Sequence, residues 1–555
     1  MTRVANAAAL VALAVGCAAT ADGFDDVMAL VPRDATWAIV VPKLSKATTD
    51  LAECIARMDR KESDVFGRPI DHVRAFLGAR EGFDENGPFA AWALGGDPAQ
   101  EAVLVLIPAA DPAAYIAAHP DKAEDGTLRF GGEAVHARAL EHHVLASRSK
   151  AAVEAFAAGD GLAKIVEQDL GTRGIRDARD ADMVAWISAS ATASQTAPLK
   201  GPLPGLGDLR KWISASLVLV DIDPLGLSVR SRTRVAEGSM FATLASRCQP
   251  LADQGGRDAL AGLHTGAFLV GGAANVRALG GGESLRALAE LAGATDAMPA
   301  WLADDSASID AVRFACYPSK LGILAGGVLN DSTLVVESPN PSKLRDAFKA
   351  WVLGQVGVHD GVRREPSWED GRALKDGTVA DAYEIKGTPL GPSEAQGVDM
   401  GQVAMRQMMA QAMFGPRGAH GFVKVLPGAL VVTCSQRPDV LARALAAQGE
   451  GECLSDDAVI ASMQPWLVKG AQVEAYISLG QLLKAVRQLA DVFGGVGASL
   501  PNIPTRSAPV ALSFKASPEE VEMSAMIPTP VLSAIIDQSM GAMTTSDSAG
   551  KKARE

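Results

Sequence analysis

The chain has 555 residues, of which 48% are hydrophobic and 21% are charged. This composition supplies enough apolar material for folded cores and excludes a chain that is disordered throughout. Its 65 acidic and 52 basic residues give a net charge of −13, which disfavours binding to nucleic acid. The sequence indicates a compartment and an architecture, but it identifies no biochemical activity.

The first 21 residues have the pattern of a signal peptide. Arg3 precedes an uncharged stretch at 4–21 that ends in small residues before Asp22. The stretch is rich in alanine and shorter than about 20 strongly apolar residues, so it is not predicted to remain as a membrane anchor. In the alternative, the run AVGC at 14–17 resembles the lipobox of bacterial lipoproteins and makes Cys17 a candidate lipidation site. Either route predicts export to the periplasm, to the medium or to a lipid anchor at the cell envelope.

Five cysteines follow Cys17, an odd number for a compartment in which disulfides persist. Cys434 and Cys453 are close in sequence and flank a predicted helix, so they form the candidate disulfide. In the alternative, most of the cysteines are buried and behave as small apolar side chains. The sequence has no C-x-x-C and no Cys/His spacing typical of zinc, so neither a redox nor a zinc role is predicted.

Matched segments indicate that the chain is an internal duplication. The string HVLASRSKAAVEAF matches VVTCSQRPDVLARAL, and MVAWISAS matches VEAYISLG. A strand–turn–strand pattern in LVLVDIDPLGLSV matches ALSFKASPEEVEM further along, so the order of the segments is preserved. The aligned pairs are Ser147 with Ser435, Trp186 with Tyr476, and Pro224 with Pro518.

A smaller offset upstream indicates an insertion in the second half. There Asp111 aligns with Asn340, so about 355–419 has no counterpart in the first half. Within it, RREPSWEDGRALKDG predicts a polar loop or hairpin, and VDMGQVAMRQMMAQAMFG predicts a short amphipathic helix. The predicted domains are a signal peptide at 1–21, a first α+β repeat at 22–250, a second at 258–540 and a disordered tail at 541–555.

Each half alternates short β runs with single helices. In the first half, strands are expected in DATWAIVVP, PFAAWAL, EAVLVLIPA, TLRFGG, HHVLASRS and MVAWISAS, and helices in LSKATTDLAECIARM, DPAAYIAA and SKAAVEAFAAG. Hairpins between such strands require antiparallel pairing. The predicted fold class is therefore α+β, with two tandem homologous halves that each form a large antiparallel sheet with helices mostly on one face.

The opening of the first half resembles a known group of proteins. The run LVPRDA at 30–35, a strand that ends in Val-Pro and a helix from Leu44 are similar to uncharacterised secreted bacterial proteins that carry a duplicated domain of unknown function. The resemblance covers mainly the first half. It implies an envelope location and a duplicated α+β fold, and it brings no catalytic residues.

A methionine-rich face is the candidate binding site of the insertion. Met405, Met409 and Met413 recur at i, i+4 and i+8, with Met408 beside them. The face either packs against the sheet, forms an adaptable apolar surface for a partner or lipid, or binds Cu(I) through its thioethers. Because the first half has no such helix, we regard it as the best candidate for an acquired function.

A second candidate site lies in the strand after Pro224. Arg230, Arg232 and Arg234 alternate with small or β-branched residues, so the period of two places three guanidinium groups on one face. Such a ladder suits phosphate or sulfate. In the alternative, it is a solvated outer face of the sheet whose arginines pair with scattered carboxylates.

The remaining motifs predict no catalytic residue, no metal site and no cofactor. His136, His142 and His143 surround one predicted hairpin, but consecutive residues of a strand point to opposite faces. The run SRSK at 147–150 has the S-x-x-K pattern of penicillin-recognising acyltransferases without its S-D-N or K-T-G partners, so we expect a helix cap there. The G-x-S-x-G, H-E-x-x-H and P-loop patterns are absent from the sequence.

The leading functional prediction is a secreted or envelope-associated, non-enzymatic binding or structural protein that uses its sheets and its Met-rich insertion to bind a partner protein or a surface. One alternative is a periplasmic carrier that holds an apolar ligand between a curved sheet and its helices. Another is a hydrolase whose site is assembled from residues distant in sequence. Nucleic acid is not expected as a partner, and a membrane is expected only through a lipid at Cys17.

Overall fold

A computed structural model gives the structure of the protein at residues 22–58, 69–78, 81–94, 102–124, 126–157, 161–188, 213–249, 259–284, 286, 309–359, 362–390, 400–449, 451–492 and 500–538. The predicted signal peptide with Cys17, the stretch 250–258 between the two predicted repeats and the predicted tail at 541–555 lie outside the described residues. The side chain of Met409 lies outside them too.

The chain divides into two compact units. The first ends at Thr243 and also includes Pro518–Ser524. Its helices are α1 (Asp22–Leu30), α2 (Leu44–Arg57), α3 (Pro69–Leu77), α4 (Pro112–Ala118), α5 (Lys150–Ala155) and α6 (Leu162–Asp180), and α7 (Met240–Ala245) crosses the division. Its strands are β1 (Trp37–Val41), β2 (Phe89–Leu94), β3 (Ala102–Pro108), β4 (Leu128–Phe130), β5 (Glu133–Ala139), β6 (His143–Ser147), β7 (Met183–Ser188), β8 (Ile213–Asp223) and β9 (Gly226–Val235).

The second unit begins at Leu244. Its helices are α8 (Gly322–Gly326), α9 (Pro341–Leu353), α10 (Met400–Phe414), α11 (Pro438–Ala447), α12 (Ala458–Met463) and α13 (Leu479–Val492). Its strands are β10 (Val270–Ala274), β11 (Ala311–Cys316), β12 (Ser332–Glu337), β13 (Gly357–His359), β14 (Val362–Ala373), β15 (Val379–Pro389), β16 (Ala419–Leu426), β17 (Ala429–Cys434), β18 (Val473–Ile477) and β19 (Val510–Ala516), and β20 (Glu520–Pro528) crosses the division after Ser524. In the described stretches, no helix combines the length and the apolar character needed to cross a membrane.

The strands of the first unit form an antiparallel sheet in the order β4-β5-β6-β3-β2-β1-β7-β8-β9. The alternating apolar runs of the sequence supply its strands, because a period of two lets each strand bury side chains on the faces of the sheet. The tight turn at Pro224 and Leu225 joins β8 to β9, as the hairpin pattern predicts. The predicted α+β class and the antiparallel pairing are confirmed.

The second unit repeats this order of neighbours. Its strands run β13-β14-β15-β16-β17-β12-β11-β10-β18-β19, again antiparallel. The central strands β10, β11, β12, β17 and β18 occupy the places of β1, β2, β3, β6 and β7. The residues at about 355–419 contribute β13, β14, β15 and α10. The two units therefore share the order of their central strands, and the duplication itself stays a prediction.

Two serines predicted to be equivalent make the same hydrogen bond. Ser147 Oγ accepts a hydrogen bond of 3.1 Å from the backbone N–H of Ser149, at the start of α5. Ser435 Oγ accepts one of 3.1 Å from the backbone N–H of Arg437, at the start of α11. A hydroxyl in this position satisfies a backbone donor at the beginning of a helix. Both units therefore use a serine where the chain turns from a strand into a helix.

Two further aligned residues each link neighbouring strands. Asp182 links β7 to β8, and Gln472 links β18 to β19. Asp182 Oδ2 accepts a hydrogen bond of 2.7 Å from the backbone N–H of Ile222. Gln472 Oε1 accepts one of 2.7 Å from the backbone N–H of Ala516. The side chain differs between the two units, but in each a side-chain oxygen accepts from a backbone N–H of the neighbouring strand.

Helices cover both faces of the sheet in the first unit. One core contains Phe24 of α1 and Val166 of α6 packed around Val40. The opposite core contains Leu44 of α2 around Val41, with Tyr115 of α4. Since Val40 and Val41 are consecutive in β1, they point to opposite faces. The prediction placed helices mostly on one face, whereas α2, α3 and α4 also bury the second face because its apolar residues need cover as well.

The second unit has the same two-sided arrangement. Leu441 of α11 and Ile460 of α12 pack with Tyr476 on one face. Leu344 and Phe348 of α9 pack with the strands on the other face. The predicted hairpin of the insertion is present as β14 and β15. Residues of β14 alternate between half-buried and exposed from Val362 to Glu369, and the rest of the strand is exposed.

The close contact of β16 with β17 predicts the effect of a small substitution. A Cβ atom added to Gly421 would lie 1.7 Å from the carbonyl oxygen of Thr433, so the strands must separate. We expect Gly421→Ala to lower the free energy of unfolding by roughly 1–3 kcal/mol, measured by urea denaturation. At Gly449, the nearest atom to such a Cβ is 3.6 Å away. Gly449→Ala is therefore the control, with an expected change within about 0.5 kcal/mol, and equal losses in both variants would contradict the prediction.

Candidate functional site

The Met-rich segment forms the predicted helix, α10, and presents an apolar face to solvent. Met405 is 60% exposed and Met408 is 45% exposed. Ala404 and Gln411 are exposed on the same side of the helix, because residues three and four apart share a face. Met413 is half-buried, so the three methionines spaced by four do not share one environment. Met405 and Met408 therefore do not pack against the sheet, which was one of the three alternatives for this face.

The C-terminal end of α10 is fixed to the second unit. The backbone N–H groups of Val328 and Leu329 donate to the carbonyl oxygens of Ala412 and Met413, at 2.9 and 2.8 Å. Asn330 Nδ2 donates to the carbonyl oxygen of Phe414 at 2.6 Å. These donors satisfy carbonyl groups that a helix end leaves without an intrahelical partner. The exposed methionine face therefore stands on an anchored helix.

Two glycines allow this attachment. Gly327 and Gly415 have φ of +79° and +71°, a region that glycine adopts at little cost. A Cβ atom added to Gly327 would lie 2.5 Å from the backbone nitrogen of Gly415. The backbones at the end of α10 and before β12 thus approach more closely than any side chain would permit.

A polar cluster missed by the sequence analysis lies next to this anchor. Asp331 has φ of +84°, the one positive φ of a residue other than glycine in the described stretches. Its buried carboxylate accepts hydrogen bonds from Ser435 Oγ and from the Arg437 guanidinium, the latter at 3.1 Å. Asn330 Oδ1 also accepts from Cys434 Sγ at 3.3 Å. These contacts link the start of β12 to the end of β17, and they occupy the hydroxyl of Ser435 in a structural hydrogen bond.

The predicted arginine ladder is present on one face of β9. Arg230, Arg232 and Arg234 lie opposite Leu219, Leu217 and Ala215 of β8, and α6 packs over that face. Arg232 is buried, so the alternative prediction of a solvated outer face is wrong for this residue. The helix α6 that covers this face has a polar pattern interrupted at Gly171, so local periodicity does not predict it.

Each arginine of the ladder has a carboxylate partner. Arg230 Nη2 donates to Asp221 Oδ2 at 2.8 Å, and Arg234 Nη1 donates to Asp169 Oδ1 at 2.8 Å. Arg232 donates to Glu520 Oε2 at 3.0 Å and to Asp177 Oδ2 at 3.3 Å. Opposite charges at these distances neutralise the ladder, so the geometry gives no support to the anion site that its spacing suggested.

An acidic side chain with no counterpart in the first repeat lies in the core of the second unit. Glu474 of β18 is buried, and its Oε2 accepts a hydrogen bond of 3.0 Å from Tyr476 Oη. Gln464 Nε2 donates to the same hydroxyl at 2.8 Å. Burial raises the pKa of Glu474 to about 7, against the smaller opposing effect of these hydrogen bonds. In the sequence, the one indication of this buried carboxyl is a glutamate between the apolar residues of VEAYIS.

The histidines near the β5–β6 turn do not form a metal site. His143 is buried, and burial lowers its pKa. His142 is exposed, with Nε2 at 3.7 Å from Glu141 Oε1. Over the described ranges, no group of three or more His, Cys, Asp or Glu side chains could hold a metal ion.

The candidate disulfide is not formed. Cys434 and Cys453 are free thiols. Cys434 Sγ contacts Asn330, whereas Cys453 Sγ lies 2.9 Å from Ser455 Oγ. Cys434 ends a strand in the sheet and Cys453 follows α11, so proximity in sequence does not bring the two sulfurs together.

Comparisons with known proteins identify no relative that assigns a function. No family model and no curated protein matches the chain. Two crystal forms of a protein named TP0453 are similar to part of it. Form III matches with 11% identity and a TM-score of 0.22 over 38% of this chain and 81% of that chain. Form I matches with 7% identity and a TM-score of 0.18 over 38% of this chain and 80% of that chain.

The buried arginine predicts a marked difference between two neighbouring substitutions. Arg232→Met leaves Glu520 and Asp177 without its guanidinium, and we expect it to lower the free energy of unfolding by roughly 3–5 kcal/mol. Arg230→Met removes a half-exposed ion pair and serves as the control, with an expected loss below about 1 kcal/mol. Urea denaturation of both variants at neutral pH measures the difference, and similar losses would contradict the buried role of Arg232.

The buried carboxyl of Glu474 predicts a pH dependence. Its pKa lies near 4.5 in the unfolded chain and about 7 in the folded one, so the folded state holds the proton more tightly. The wild type should therefore lose stability, relative to Glu474→Gln, as the pH rises from about 4.5 to 7. The shift corresponds to a change of about 3 kcal/mol.

Urea denaturation at pH 4 and pH 8 tests this expectation. From pH 4 to pH 8, the free energy of unfolding of the wild type should fall by about 3 kcal/mol relative to that of Glu474→Gln. The exposed Glu369→Gln is the control and should show no such change. A pH-independent difference for Glu474→Gln would show that this carboxyl keeps its ordinary pKa.

Proposed function

We propose that the chain is an exported, non-enzymatic binding protein, and that α10 contacts an apolar segment of a partner protein. The observation that carries the proposal is the exposure of Met405 and Met408 on a helix whose C-terminal end is anchored. Methionine is flexible and polarisable, and it is common on surfaces that accept varied apolar partners. The 15 residues of α10 give a face about 22 Å long, which suits the docking of one partner helix or extended segment.

The chemistry of the face favours a protein over a lipid surface. The exposed residues Gly401, Ala404, Met405, Met408 and Gln411 carry no charge. Helices that lie on membranes typically combine Trp, Phe or Leu with several Lys or Arg residues, whereas α10 contains the single basic residue Arg406. A net charge of −13 also opposes approach to an anionic bilayer.

The polar groups of the described residues support a binding role rather than catalysis. Ser147, in the S-x-x-K pattern, donates to the carbonyl oxygen of Val103 at 2.7 Å and accepts from the backbone of Ser149. Ser435 donates to Asp331, as described above. Both hydroxyls are buried in structural contacts, and a nucleophile must instead be accessible to substrate.

Site-specific crosslinking tests the proposal. A photoreactive amino acid is placed at Ala404 or Gln411, and at exposed Lys484 of α13 as the control. Irradiation of intact native cells should join both α10 positions, but not position 484, to one protein of constant mass in the envelope or the medium. Absence of the chain from both fractions would contradict export.

Polar substitution then tests the role of the thioethers. In Met405→Gln/Met408→Gln, we expect the crosslink yield to fall by about tenfold, because the partner loses apolar contact area. The exposed Met523→Gln is the matched control and should crosslink as the wild type does. Anionic vesicles should not bind the wild-type chain. An unchanged crosslink in the double variant, or binding to vesicles that depends on the two methionines, would overturn the proposal.

A further inference from the structure

The described methionines include two groups with contrasting exposure to solvent. The side chains of one group are exposed: Met405, Met408 and Met523. Those of another group are fully buried in the cores: Met28, Met463 and Met526. An oxidant dissolved in water therefore reaches the first group directly, whereas the second is shielded until the protein opens.

Three buried thiols compete poorly for such an oxidant. Burial raises the pKa to about 11 at Cys248 and Cys434 and to about 12 at Cys316. Cys54 is also buried, and Cys453 Sγ donates a hydrogen bond to a neighbouring carboxylate. Peroxides react with thiolates rather than thiols, so these raised pKa values slow the reaction at neutral pH. A thioether needs no deprotonation, and its rate depends on access.

We propose that Met405 and Met408 are oxidation sites, and that their conversion to sulfoxides by a peroxide in the unbound chain prevents the partner of α10 from rebinding and so releases it. A lone pair of the thioether sulfur attacks one peroxide oxygen, and the O–O bond breaks as the S–O bond forms. The sulfur is oxidised by two electrons, the peroxide is reduced, and the leaving oxygen departs as water or an alcohol after taking up a proton. The release, unlike the oxidation, rests on the proposed function.

The position of the two residues explains why oxidation would act on binding and not on folding. Met405 and Met408 are separated by three residues and lie on one face of α10, so two sulfoxides make the same face polar. The anchoring hydrogen bonds use the carbonyl groups of Ala412, Met413 and Phe414 and involve no sulfur. A sulfoxide buried against an apolar partner without a hydrogen bond opposes binding. Methionine sulfoxide reductases reverse the change.

Peptide mapping by mass spectrometry tests the oxidation without reference to any partner. The purified full chain is treated with hydrogen peroxide, and each methionine is followed over time. We expect Met405 and Met408 to gain one oxygen atom at least about tenfold faster than Met28, Met463 and Met526. The exposed Met523 is the internal positive control. Uniform rates across the exposed and buried methionines would overturn the assignment of these sites.

Crosslinking after oxidation tests the release. Chain carrying the photoreactive residue at Ala404 is oxidised, freed of peroxide and added to an envelope extract, where we expect the crosslink yield to fall at least about tenfold. Met405→Leu/Met408→Leu keeps the face apolar but cannot form a sulfoxide, so its yield should withstand peroxide. Met523→Leu is the matched control and should lose its crosslink on oxidation, as the wild type does.

The outcomes separate this inference from the proposed function. Selective oxidation with an unchanged crosslink would overturn the release and leave the binding role intact. A loss of yield in the Leu double variant as well would assign the effect of peroxide to another residue and would overturn the inference. Absence of a crosslink in the untreated wild type would contradict the binding role, whereas the mapped oxidation sites would stand.

Discussion

The second unit depends on the loop at 328–331, where one short stretch of backbone meets several elements. Its first residues donate to the end of α10, and Asn330 joins that helix to Cys434. Asp331 then adopts a strained φ and places its carboxylate against Ser435 and Arg437. A positive φ at a residue other than glycine persists only where surrounding contacts determine it. The strain at Asp331 is therefore offset by contacts that also fix α10, β12 and the start of α11.

The two units use the same strand order for different purposes. In the first, α6 covers a face of the sheet, and buried Arg232 is balanced by Asp177 and Glu520. In the second, the insertion adds β14 and β15, which Arg345 of α9 contacts through a cation–π interaction with Trp368 at 5.7 Å. The same insertion supplies α10. The insertion thus gives the second unit an exposed helix, which is why the proposed function is assigned to that unit.

Local patterns were sufficient for most strands, because alternating apolar residues such as those of β1 and β3 determine which faces are buried. They were insufficient for α6, whose helical pattern is polar and interrupted at Gly171, with φ of +71°. Local patterns also do not predict the polar clusters, because their members are far apart in sequence. Asp331 and Ser435 are 104 positions apart, so no spacing rule brings them together. The Met-rich helix was predicted, but the exposure of Met405 and Met408 depends on how the tertiary structure leaves α10 uncovered.

The choice of methionine over leucine on α10 has a physical consequence. Leucine would bury a similar apolar area against a partner, so hydrophobic contact alone does not require sulfur. Methionine adds flexibility, which suits a partner surface of irregular shape, and it adds susceptibility to oxidation. In the cores, Met28 and Met526 provide the same flexibility, but the surrounding protein shields their sulfur atoms from oxidants. On α10, Met405 and Met408 are both flexible and open to oxidants. The same exposure that lets this face contact a partner therefore also lets a peroxide make it polar.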